Sequence, residues 1–297
     1  MQNSKLVVAE NIFELIGNTP LLRIPLEQSE IKLYAKLEGQ NIGGSVKDRA
    51  AYSMIVEAEK RGELTKEMEI IEATSGNTGI ALAMIAAVKG YKITIVMSEA
   101  MSVERRKMIQ LYGANLILTP AALGTGGAIT KVHEMMAAQP GKYWHANQHD
   151  NPDNALIHYN TTAMEILEQL PDVTHIFAGI GTFGTVRGIS KRFREEKRAI
   201  KIIGIEPFAG IPIQGLRNMS EINPPQLFDK NFLDEIINVD AQFAKPRLEE
   251  LARKSGLFVG FSSAAIYHGA LTYLKNVDSA TAVMIFPDKG EKYLSMI

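Results

Sequence analysis

The chain has 297 residues, 46% of them hydrophobic, a length that exceeds what one compact core usually holds and points to two domains. A formal charge of -1 with both signs interspersed excludes the electrostatic footprint of a nucleic-acid or anionic-membrane protein and leaves small molecules as the expected partners. The absence of cysteine excludes disulfides, zinc-cysteine sites and iron-sulfur clusters; the first ten residues lack the pattern of a signal peptide and no apolar run reaches spanning length, so a soluble, cytoplasmic protein is expected.

Strand-like and helix-like segments alternate almost throughout, the pattern of an α/β fold with mainly parallel sheets. A short helix over 11–16 is closed by Gly17-Asn18-Thr19-Pro20, and strands follow over 21–24 and 31–37. The second strand runs through Lys36-Leu37-Glu38-Gly39-Gln40-Asn41 into Gly43-Gly44-Ser45-Val46-Lys47-Asp48-Arg49, where an amphipathic helix begins with Ser45 as its expected N-cap and Gly62 as its stop. Lys47 sits in the first helical turn, where the dipole is positive and disfavours an ammonium; such a lysine, above all if buried, is a better Schiff-base amine at neutral pH.

The alternation then predicts strand 69–73, helix 77–89, strand 92–97, helix 102–112, strand 116–118 and helix 128–138. The rhythm pauses at Gln139-Pro140-Gly141, and a long helix over 154–170 opens what reads as a second domain. Strand 174–178, helix 185–194, strand 201–205, helices 246–254 and 264–274, and strand 282–286 follow. Residues 207–232 are rich in Gly, Pro and Asn with weak periodicity, as in a functional or partly disordered loop. The charged run 191–197 is a solvated helix face.

Three strand-to-helix turns carry unusual residues. Besides the Lys47 turn, Thr74-Ser75-Gly76-Asn77-Thr78-Gly79 offers more hydroxyls, amides and glycines than capping requires, and suits a carboxylate or phosphate. Gly179-Ile180-Gly181-Thr182-Phe183-Gly184-Thr185 follows a strand, opens a helix and spells G-x-G-x-x-G. A dinucleotide-binding Rossmann reading therefore competes, with Glu206 as its ribose-binding acid, but it leaves Lys47 and the Asn77 turn without a role. Ser262 and Ser263 stand at another helix start. His145 and His149, beside Asp150, lie in an expected loop with no evident third ligand, so no metal site is expected.

Taken together, the segments 36–41, 45–49 and 74–79 resemble the cysteine synthase (O-acetylserine sulfhydrylase) family of fold-type II pyridoxal-phosphate enzymes, the B-type most closely. The resemblance runs from Leu15-Ile16-Gly17-Asn18-Thr19-Pro20 to Lys292-Tyr293-Leu294-Ser295. It implies two α/β domains: a smaller one over 41–146 that closes on the substrate, and a larger cofactor-binding one made of 1–40 plus 147–297. It implies that Lys47 carries pyridoxal 5'-phosphate as a Schiff base, that Asn77 bonds the phenolic oxygen, that Gly181, Thr182, Phe183, Gly184 and Thr185 hold the phosphate, and that Ser262 faces the pyridine nitrogen. Thr74, Ser75, Thr78 and Gln148 match positions that bind the substrate carboxylate.

The implied activity is β-replacement on O-acetylserine by sulfide, in a cytoplasmic homodimer. The alternative, from the same chemistry, is β-elimination or β-replacement on cysteine that releases hydrogen sulfide; a non-catalytic amino-acid-binding protein is a third possibility. Three departures from the family pattern bear on substrate preference: Phe183 in place of a small residue, Ala264 in place of a glycine, and Thr161-Thr162-Ala163-Met164-Glu165-Ile166 in place of Thr-Thr-Gly-Pro-Glu-Ile. The stretch 207–234 is expected to decide between the two reactions; its acids Glu221, Asp229 and Asp234 read first as exposed loop charges, with a base for water as the alternative.

Overall fold

A computed structural model describes residues 8–74, 76–221 and 224–297. Two sheets organise it. The larger has the order β1-β2-β10-β7-β8-β9, with β1 at Leu21–Ile24, β2 at Ile31–Leu37, β7 at His175–Gly179, β8 at Lys201–Pro207, β9 at Glu235–Val239 and β10 at Ala280–Phe286. The smaller has the order β5-β4-β3-β6, with β3 at Glu69–Ala73, β4 at Lys92–Ser98, β5 at Asn115–Thr119 and β6 at Tyr143–His145. All pairings are parallel except β1 with β2, as expected for strands joined by helical crossovers.

Parallel strands covered on both faces need apolar side chains on both, and β10 obliges: all seven residues of Ala-Thr-Ala-Val-Met-Ile-Phe are buried. Helices α1 (Lys47–Arg61), α2 (Asn77–Lys89), α3 (Val103–Leu111) and α4 (Gly124–Ala138) flank the small sheet; α5 (Asp153–Ile157), α6 (Ala163–Gln169), α7 (Gly184–Glu195), α8 (Ala244–Ser255) and α9 (Phe261–Leu274) belong with the large one. Helix α2 is apolar nearly all round and buried from Thr78 to Ala86, which fits its central place against α1 and β4. Gly62 and Gly90 end α1 and α2 in the left-handed conformation, at φ 72° and 73°.

Four differences between the sequence reading and the structure concern whole elements, or starts displaced by more than three residues. The segment after Gly141 contains a three-residue strand, β6, too short to show periodicity. Strand β9 was not expected, because its half-exposed pattern is that of an edge strand. Helix α4 starts at Gly124, where glycines masked the helical signal. The long helix is α5 and α6 joined through a π turn at His158–Thr162, in which the Thr161 hydroxyl bonds back to Ile157 O at 2.6 Å.

A buried ionic cluster ties the N-terminal strand pair to α1 and α6. Arg49 donates to both Glu38 oxygens at 2.8 and 2.9 Å and to both Glu165 oxygens at 2.6 and 2.8 Å. Lys36 Nζ reaches Thr19 O at 2.6 Å, Glu165 Oε2 at 2.7 Å and Gln169 Oε1 at 2.9 Å. Burial alone would raise the Glu165 carboxyl, but Arg49 and Lys36 outweigh it and hold the group down at about 2. The departure at 161–166 therefore leaves Glu165 in a structural role, and Thr161 joins it by accepting from Arg49 Nη1 at 3.1 Å.

Candidate active site

The start of α1 is docked on the end of β10: Val46 N–H donates to Pro287 O at 2.8 Å, and Ser45 pairs with Asp288 in an isolated bridge. Val46, rather than Ser45, is the cap residue, although the Ser45 hydroxyl still accepts Lys47 N–H at 3.3 Å. This docking turns the half-buried Lys47 side chain into a cavity of about 670 Å³. Its Nζ meets Thr182 Oγ1 at 3.4 Å and has no carboxylate partner among the described residues. Burial, with Arg217 adding to it, lowers the amine from 10.5 to about 8.

The loop before α7 forms one wall of the cavity. Gly181, Thr182, Phe183 and Thr185 line it, and among the described residues their N–H groups donate to no protein acceptor. Gly184 stands behind them, where an added Cβ would lie 2.2 Å from Asn154 Oδ1. Asn154 Nδ2 in turn donates to Thr182 Oγ1 at 3.0 Å. Phe183 adopts φ 69°, rare for a side chain of its size, and its ring packs edge-on against Phe228 with centroids 4.9 Å apart. The bulk that departs from the family pattern thus goes into the core, and the loop's backbone stays free to serve the cavity.

The start of α2 lines the same cavity through Thr74, Asn77 and Thr78, together with Gln148. Thr78 donates to Gln148 Oε1 at 2.5 Å, and Gln148 Nε2 is directed to Glu72 Oε1 at 3.3 Å and Ala73 O at 3.4 Å. Glu72 is buried, and desolvation pushes its carboxyl up to about 8. Asn77 donates to Asp288 Oδ2 at 2.7 Å and accepts from Lys292 Nζ at 3.1 Å. Ser262, at the start of α9, also lines the cavity, while the hydroxyl of its neighbour Ser263 is buried with no partner among the described residues. Ala264 is packed into the core. Ser75 lies outside the described residues.

All the other expected site residues therefore converge on one cavity except Gly184, which supports it from behind. The acids proposed for water do not converge. Glu221 accepts Gly210 N–H, Asp229 caps a 3-10 turn by accepting Asn231 N–H, and Asp234 accepts Ile202 N–H. Glu206 is likewise occupied, by Met219 N–H at 3.1 Å and Asn238 Nδ2 at 3.2 Å, rather than open to a ribose.

Sequence reasoning missed Arg217, Tyr293 and Met296, and weighed His149 only as a metal ligand, although all four line the cavity. Arg217 lines the cavity with no hydrogen-bond or ion-pair partner for its guanidinium among the described residues, and burial holds it below its ordinary value. It belongs to the stretch singled out as a functional loop, and Pro212 to Leu216 of that stretch line the cavity too. His149 is kept neutral, at about 3, by burial and by the charges of Arg217 and Lys47. No cluster of three or more His, Asp or Glu residues among the described ones is arranged to hold a metal.

A family model described as "Pyridoxal-phosphate dependent enzyme" matches residues 12–288. The chain belongs to this family. Cysteine synthase B of Escherichia coli (strain K12) is 44% identical over 287 residues, covering 95% of this chain and 93% of that protein. Among solved structures, a hydrogen sulfide-producing enzyme from Fusobacterium nucleatum superposes with a TM-score of 0.92 at 40% identity, covering 97% of this chain and 100% of that one. A cysteine synthase from Entamoeba histolytica gives 0.92 at 37% identity, covering 100% and 92%.

The donor set suits the cofactor of a pyridoxal-phosphate-dependent enzyme. An aldehyde needs an amine that is partly neutral near pH 7, and a phosphate needs several N–H groups at a helix start; both face the same cavity. No helix among the described residues is long and apolar enough to cross a membrane.

Proposed function

We propose that the protein catalyses β-replacement on O-acetylserine by sulfide, giving cysteine and acetate. The observation that carries this reading is one cavity lined both by Lys47 and the 181–185 loop and by the hydroxyl- and amide-rich set Thr74, Asn77, Thr78 and Gln148. The 44% identity to a cysteine synthase B over nearly the whole chain supports the same substrate class.

In this reading Gly181, Thr182, Phe183, Gly184 and Thr185 hold the phosphate, Asn77 donates to the phenolic oxygen and Ser262 faces the pyridine nitrogen. Bound there, pyridoxal phosphate supplies an electron sink for the amino acid's α-carbon. Lys47 first holds the cofactor and then, as a free amine, takes the α-proton and returns it. Thr74, Ser75, Thr78 and Gln148 bind the substrate carboxylate. Because the Thr78 hydroxyl donates to Gln148 Oε1 and Gln148 Nε2 is directed to Glu72 and Ala73, the carboxylate takes over the Thr78 hydroxyl from Gln148. Residues 41–146 close as a lobe on the rest, and the active form is a cytoplasmic homodimer; light scattering of the purified protein tests the dimer.

A second reading has a specific support: the likeness to the hydrogen sulfide-producing enzyme of Fusobacterium nucleatum, at 40% identity and full coverage of that chain. There, cysteine would be the substrate and sulfide the product. Measuring kcat/KM for O-acetylserine with sulfide, and for cysteine alone, decides between them. A higher value for O-acetylserine supports the synthase; a higher release of sulfide from cysteine alone replaces it with the second reading.

A further inference from the structure

We propose that Lys292 is a positioning residue that fixes the orientation of the Asn77 side-chain amide toward the cofactor. The inference rests on the reading that Asn77 binds the cofactor. A primary amide is nearly symmetric in shape, so its useful direction must be set by its partners. An ammonium can only donate and a carboxylate can only accept. Lys292 Nζ, 3.1 Å from Asn77 Oδ1, therefore fixes the oxygen, and Asp288 Oδ2, 2.7 Å from Asn77 Nδ2, fixes the nitrogen. One N–H of Nδ2 remains for the cavity that Asn77 lines.

The geometry of Lys292 is specific to this task. Its three donors have three acceptors: Gly44 O at 3.0 Å, Gly43 O at 3.4 Å and Asn77 Oδ1. Two of these carbonyls belong to the loop that carries Lys47, so one buried side chain joins the Lys47 turn to the Asn77 turn. Lys292 is itself anchored: its carbonyl accepts the Ser102 hydroxyl at 2.9 Å, and burial lowers its amine while Asp288 and Asp48 supply facing negative charge against that burial. Asp288 is steadied in turn by Tyr293 Oη at 2.7 Å. With a cation against its oxygen, the amide is polarised and its free N–H becomes a stronger donor to an oxyanion in the cavity.

A double-mutant cycle tests this on the holoenzyme, reading the dissociation constant of pyridoxal phosphate and the visible absorption band of the lysine-bound cofactor. Lys292→Met and Asn77→Ala should each weaken the cofactor about tenfold and shift the band, and the double variant should be no worse than the poorer single one. Lys292→Arg, which keeps a cationic donor, should restore affinity to within about threefold and return the band. Should Lys292→Met fail to fold, Lys292→Gln, which keeps a donor without the charge, takes its place in the cycle. Additive losses, or a Lys292 variant with unchanged affinity and band beside an impaired Asn77→Ala, overturn the positioning role. An Asn77→Ala variant with unchanged affinity and band overturns the cofactor reading of Asn77 itself, and the inference with it.

Discussion

Lys47 and Arg49 stand two residues apart in the first turn of α1, and their surroundings are opposite. Arg49 is enclosed by Glu38 and Glu165, which take four of its hydrogen bonds and hold its guanidinium charged. Lys47 has one long contact to a threonine hydroxyl, a neighbouring arginine, and an amine lowered to about 8. The same helix start thus carries one cation compensated by its neighbours and one left uncompensated. Arg49 anchors the turn, and the anchored turn presents an amine poised for chemistry.

Breaking either side should separate chemistry from stability. Lys47→Ala should lower kcat/KM by about 10⁴-fold, from loss of cofactor attachment and proton transfer, while a thermal melt of the cofactor-free protein shows no loss of stability. A melt that collapsed would mean that Lys47 is structural. Arg49→Met should do the reverse, because it leaves two buried carboxylates facing only Lys36. The expected loss is about 3–5 kcal/mol, a fall in Tm on the order of 10 °C, measured by denaturant and thermal unfolding.

Smaller effects sharpen the contrast. Thr78→Val removes a hydroxyl from the cavity wall without touching either cation, so the KM for the amino acid should rise about tenfold with the cofactor's absorption band unchanged. A changed band in steady-state spectra would move Thr78 from substrate to cofactor binding. The pH dependence is subtler. The native Lys47 amine titrates near 8 and the unfolded one near 10.5, so between these values the unfolded chain binds more protons and stability rises with pH. The melting temperature of the cofactor-free wild type should therefore gain on that of Lys47→Met as pH rises through this window. Parallel curves would show that the amine is not depressed.

Much of this was legible in the sequence because it depends on local chemistry. The strands over 21–24, 31–37 and 69–73 and the helix over 77–89 match the structure at both ends; Pro25 stops the first strand, and Gly76 and Gly90 bracket the helix. The Lys47, Asn77 and Thr182 turns were legible as strand-to-helix junctions with more polar residues than capping uses. The Arg49 cluster was not, because Glu38 and Glu165 come from distant segments and nothing local marks a carboxylate as buried. Arg217 and Lys292 were hidden for the same reason: each looks like an ordinary surface cation until the fold carries it to the cavity or its rim. The acids 221, 229 and 234 accept backbone N–H groups, which agrees with their reading as loop charges rather than as bases for water.

The most direct test of the central contrast is to reduce the holoenzyme with borohydride and map the labelled peptide. The cofactor should be found on Lys47, in the peptide that carries Arg49 in wild type. A label on Lys36, Lys292 or any other lysine, or a purified protein that takes up no pyridoxal phosphate, would contradict the assignment of the uncompensated cation as the reactive amine.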